Sequence, residues 1–180
     1  MLTKGVRVRY YMKIIPIHTF PAPVLKARAE EVKDINGELQ HLIDAMGTTM
    51  YSAPGLGLAA NQVGDLRRVI VFDLAAKDGP QDLQVIINPC ITECEGEVVH
   101  NEGCLSVLDF SAEVRRSARI CVTGADRHGK PIEVEAEGLK AVVLQHEIDH
   151  LDGILFIDRI SRLKRGLYVR RLKKQQAENR

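Results

Sequence analysis

Two histidines four residues apart, with a glutamate directly after the first, stand at His146-Glu147-Ile148-Asp149-His150. Positions i and i+4 share one face of a helix, so both imidazoles can address a single cation. Glu147 projects beside them, where a carboxylate can act as general base on a water held by a divalent ion. A catalytic metal of this kind takes a third protein ligand and keeps one position open. No histidine follows His150, and the downstream acids are only Asp152, Asp158 and Glu178. Upstream stand His18, His41, His100, His128 and the four cysteines. Cys104 stands out among them, in Glu102-Gly103-Cys104-Leu105-Ser106 between two glycine-punctuated strands, although a lone cysteine in such a place is more often a buried thiol. One thiolate with two neutral imidazoles suits Fe(II), Zn(II), Ni(II) or Co(II).

A second segment, Gly55-Leu56-Gly57-Leu58-Ala59-Ala60-Asn61-Gln62, superficially fits a dinucleotide fingerprint. That fingerprint needs a strand before it and a helix after it. Here a helix and Pro54 precede, and a strand follows. The glycines read instead as backbone that approaches a ligand closely, with the Gln62 amide nearby.

The elements that must position these groups are legible in outline. Leu39, Leu42, Ile43, Met46 and Met50 recur at helical spacing from Glu38, and Ser52-Ala53-Pro54 ends the run. Val69 to Phe72 and Val85 to Ile87 are short β-branched strands. Ile120 and Val122 alternate before His128-Gly129-Lys130-Pro131, and Ile132, Val134 and Ala136 after it, which predicts a hairpin. Gly138 to Leu151 returns to helical period, with Gly153 as its C-terminal stop. A last helix is expected over about 161–176. Hairpin strands with three helices predict an α+β fold: antiparallel or mixed sheets around a central helix bearing the two histidines, plus a C-terminal helix.

The 180 residues suit one domain, and 45% hydrophobic with 27% charged content excludes a disordered or fibrous chain. No run approaches the ~18 apolar residues of a membrane span. With 4% aromatics and no Trp, base-stacking surfaces are not expected. Residues 159–180 hold nine Lys or Arg and one acid, for +8, leaving the rest of the chain at −7. Such a basic end is either a solvated face or a phosphate contact. Cys90 and Cys94 read as ordinary buried thiols.

Residues 55–62, 102–106 and 146–150, in that order, resemble the three motifs of the peptide deformylases. Pro21-Ala22-Pro23-Val24-Leu25 and Ile86-Ile87-Asn88-Pro89 are similar to the family as well. The likeness runs from about Met12 to Arg170, so residues 1–11 are expected to be an extension before a single domain over 12–180. Leu108 departs from the pattern, since many members have Pro there.

The resemblance implies one divalent ion per chain held by Cys104, His146 and His150, with Fe(II) as the native ion and Zn(II), Ni(II) or Co(II) as alternatives. It implies Glu147 as general base, with Gln62 and the Leu105 N–H as oxyanion donors. Gly57 and Leu56 are expected to meet the peptide, and Leu139, Val142 and Val143 to line an apolar methionine pocket. Glu102 is counted among the substrate contacts and is expected to pair with Arg116. The implied activity is a cytoplasmic hydrolase that removes the N-formyl group from the initiator methionine of nascent peptides. The basic helix is expected to dock on ribosomal RNA and to be dispensable for short peptides; no membrane or DNA partner is expected.

Overall fold

Asn36 opens the first helix by accepting the Leu39 N–H on its side chain at 3.0 Å. The computed structural model describes residues 14–75 and 79–178. The expected extension over residues 1–11 therefore lies outside the described residues. Helix α1 (Gly37–Ser52) buries Leu39, Ile43, Met46 and Met50 completely. Strands β1 (Gly57–Ala59), β2 (Val69–Phe72) and β3 (Gln84–Glu95) follow, then β4 (Val98–Cys104), β5 (Val107–Arg116), β6 (Arg119–Ala125) and β7 (Pro131–Glu137). Helix α2 (Gly138–Leu151) and helix α3 (Arg162–Glu178) complete the chain.

Five strands form one antiparallel sheet in the order β1-β2-β3-β6-β7, while β4 and β5 form a separate antiparallel hairpin. All four residues of β2 are buried because both faces of the sheet are covered. Val69 and Val71 pack with the α1 residues, whereas Ile70 and Phe72 pack with Leu144, Ile148 and Leu151 of α2. A third cluster lies under the hairpin, where Val107, Ala112 and Val114 meet Leu25, Phe156 and Tyr168. The expected 120–136 hairpin forms in register, Ile120 opposite Ala136 and Val122 opposite Val134. Gly153, at φ +74°, follows α2 in the left-handed conformation that its place as a helix stop requires.

Three differences from the sequence reading have physical causes, and the departing position Leu108 also finds its place. Helix α2 is buried on every side from Ala141 to Leu151, polar residues included, because it lies between the large sheet and the hairpin. Cys90 and Cys94 are exposed, not buried. Beyond Asn88, whose φ is +53°, β3 pairs with β6 through two register shifts, and its Cys90–Glu95 end carries no fully buried residue. Leu108 simply continues β5 with its side chain exposed. Finally, α3 is not solvated on every face. Tyr168 is buried, with its ring centroid 4.7 Å from Phe110. Removing the chain after Arg162 would strip a wall from the third cluster.

Candidate metal centre

Register in the hairpin slips between Glu102 and Cys104, placing Cys104 at the tip of β4 just before the Leu105-Ser106 turn. Its sulfur lies 3.1 Å from His150 Nε2. One ligand atom each from Cys104, His146 and His150 fall within 4.8 Å of one another, which is the geometry of a shared ion. Asn61 donates from Nδ2 to the His150 carbonyl and so braces the last turn of α2. Gln62 is held from both ends. Its Oε1 accepts the Ala59 N–H at 2.8 Å, and its Nε2 donates to Ser106 Oγ at 3.0 Å while lying 3.7 Å from the Cys104 sulfur.

Behind the ligands runs a chain of buried charges. His146 Nδ1 meets Glu102 Oε2 at 2.7 Å, which fixes the ring and leaves Nε2 for an ion. Arg116 clamps both Glu102 oxygens, at 2.7 and 3.0 Å, as the expected pairing requires. The same guanidinium donates to Asp149, which also accepts from Nε and Nη2 of Arg159. Glu102 therefore lines the cleft, with both of its oxygens engaged by Arg116 and His146.

Burial opposes charge on Glu102, yet Arg116 and His146 outweigh it and hold the carboxyl down to about 2. Burial also works against a charged His146, but Cys104 and Glu102 push it well above the ordinary imidazole range. His150 is driven well below that range, first by burial and then by the neighbouring His146, so it is a neutral donor. Glu147 has no partner at Oε2, and burial raises its carboxyl to about 7. Sulfur, two imidazoles and a proton-accepting carboxyl thus fit a hydrolytic metal site.

The cleft in front of these groups measures about 380 Å³. Gly57 lines it at the start of β1, and a Cβ there would sit 2.6 Å from Glu147 Oε1, so only glycine leaves that carboxyl in place. Leu105, Val142 and Val143 supply apolar wall, and Leu56 and Leu139 line it with their side chains about half exposed. Eleven of the twelve expected site residues line this cleft, and His150 stands beside Cys104 and His146 in the ligand group. Asn61, Ser106, Asp149 and Arg159 were not singled out. The signal for Asp149 was a carboxylate between two expected ligands on one helix.

The sequence profile described as polypeptide deformylase matches residues 14–166. The peptide deformylase of Thermodesulfovibrio yellowstonii is 54% identical over 162 residues, covering 90% of this chain and 98% of that relative. The crystal structure of a peptide deformylase from Legionella pneumophila superposes with a TM-score of 0.86 at 41% identity, covering 93% of this chain and 98% of that one. The Ehrlichia chaffeensis peptide deformylase in complex with actinonin gives a TM-score of 0.85 at 35% identity, with 91% and 98% covered.

Proposed function

This chain belongs to the polypeptide deformylase family, and from that premise we propose that the cleft removes the N-formyl group from the initiator methionine of nascent peptides. Water and the formyl peptide become formate and a free methionyl amine: one C–O bond forms, one C–N bond breaks, and a proton passes to nitrogen. The observation that carries this reading is the meeting of Cys104, His146 and His150 beside the unpartnered carboxylate of Glu147. Cys104 Sγ and one ring nitrogen each of His146 and His150 would hold one divalent ion, whose charge acidifies a water and polarises the formyl carbonyl. We assign Fe(II) as the native ion; Zn(II), Ni(II) and Co(II) suit the same donors.

Glu147 accepts the water's proton at its carboxylate and returns it to the departing amine. Its raised affinity for a proton, near neutrality, suits a group that must both take and give one. Gln62 Nε2, pre-aimed by the Ala59 N–H, and the Leu105 N–H stabilise the oxyanion, each worth roughly 2.7 to 4 kcal/mol of barrier. Gly57 offers its strand edge to the peptide backbone beside Leu56. Leu139, Val142 and Val143 receive the methionine side chain, whose flexibility fits an apolar wall.

Helix α3 presents Arg162, Lys164, Arg170 and Lys173 to solvent, a surface suited to ribosomal RNA phosphates. No helix among the described residues is long and apolar enough to cross a membrane. A substrate emerging from ribosomes supports a cytoplasmic site of action. Residues 12–180 make up the working domain, with 1–11 as an extension. Formate release from formyl-Met-Ala by anaerobically purified protein, paired with elemental analysis, tests the reading. Activity with one transition-metal ion per chain is expected; a metal-laden protein that leaves the formyl group intact would refute it.

A further inference from the structure

The two imidazoles of the metal centre are supported unequally. His146 Nδ1 has the Glu102 carboxylate behind it. His150 turns Nε2 toward the Cys104 sulfur, and its Nδ1 is buried with no hydrogen-bond partner among the described residues. Asn61, in the 3-10 turn Ala60–Val63, is fully buried against the same histidine. Its Nδ2 donates to the His150 carbonyl, and only the nitrogen end of the amide can do so. Its Oδ1 is thereby left buried and likewise without a partner among the described residues. One pair of touching residues thus holds an unmatched donor and an unmatched acceptor, both sealed from solvent.

A neutral imidazole that gives Nε2 to an ion carries its proton on Nδ1. That N–H goes to a carboxylate, a carbonyl or a water. Neither a carboxylate nor a carbonyl among the described residues meets His150 Nδ1, which leaves water. Nδ1 lies beside the side-chain stem and faces away from the ion, back toward the turn of α2 on which the Asn61 amide is seated. We infer that one internal water joins His150 Nδ1–H to Asn61 Oδ1, making Asn61 the positioning residue for this ligand. The water accepts from Nδ1–H and donates to Oδ1, so both buried groups are satisfied. Held this way, the ring keeps the tautomer and the aim that direct Nε2 at the ion. The ligand pair is then asymmetric: a carboxylate holds His146 directly, and a neutral amide holds His150 through water.

This inference rests on the metal reading of the site, and its test reads metal binding rather than turnover. Co(II) is titrated into metal-free protein against a competing chelator, for the wild type, Asn61→Leu and Asn61→Asp. Asn61→Leu keeps the branched shape without either polar atom and should bind Co(II) about 10–100-fold more weakly. Asn61→Asp presents an acceptor oxygen in the same place and should recover most of that loss. Were Asn61 only a brace on the helix turn, the Asp variant would bind no better than the Leu variant, and that result overturns the inference. The crystal structure of the Co(II)-loaded wild type tests the same point without any substitution. It should show one water within hydrogen-bond reach of both His150 Nδ1 and Asn61 Oδ1. A dry site, or Nδ1 turned onto a protein carbonyl, overturns the inference and leaves the metal centre standing. A wild-type chain that takes up no Co(II) would remove both.

Discussion

Glu147 is where the chemistry is most exposed to a single atom's change. Replacing it with glutamine keeps its size and leaves the three ligand side chains untouched. Formate release should fall by about 10²–10⁴-fold, while elemental analysis still finds one ion per chain. Behind it, Arg116 is the residue whose loss is hardest to absorb, because Glu102 and Asp149 would both keep buried charge with fewer partners. Arg116→Ala should destabilise the fold by about 3–5 kcal/mol, read from urea unfolding. At this scale the sequence was most readable where spacing itself encodes geometry. His146 and His150 needed only the helical repeat, and Gly57 only the absence of a Cβ. Cys104 was harder to read, because its approach depends on a register slip in a hairpin. The Asp149–Arg159 contact joins α2 to the segment before α3, and no local period announces it.

Elements with regular patterns were legible almost residue for residue. Leu39 to Met50 traced α1, and the alternation at 120–136 gave the β6–β7 hairpin. Elements whose environment is two-sided were not. Nothing in the spacing of β3 foretold that it runs on to Glu95, since its second half makes ladder bonds without burying apolar side chains. Helix α2 showed its helical period, yet it is enclosed, and its His146 and Asp149 meet partners on a hairpin distant in sequence. Helix α3 has two jobs that its composition merges. Tyr168 belongs to the core, and Tyr168→Ala should lower stability by about 3–5 kcal/mol, as large aromatic truncations do. The solvent-facing cations are separable from that core. Reversing Lys164 and Lys173 to Glu should leave turnover of short formyl peptides unchanged and weaken ribosome binding at low salt, measured by cosedimentation.

Over the whole molecule, a double-covered sheet holds α2 in place while the β4–β5 hairpin brings the sulfur and its carboxylate support from the other side. The site exists only when both bodies are assembled, so acid should dismantle it through the groups that join them. Glu102 titrates near 2 in the folded chain and near about 4.3 when unfolded. A depressed folded value means stability that is fully present above about 4.3 and lost as pH falls toward 2. Urea midpoints should fall across that window, and Glu102→Gln should flatten part of the decline. The central claim, however, concerns the ion that Cys104 completes. Formate release should be measured from formyl-Met-Ala while Ni(II) is titrated into metal-free protein, beside Cys104→Ser. The account predicts activity rising to a plateau at one equivalent in the wild type and remaining near background in the variant. Full turnover before any ion is added, or an undiminished plateau without the sulfur, would contradict it.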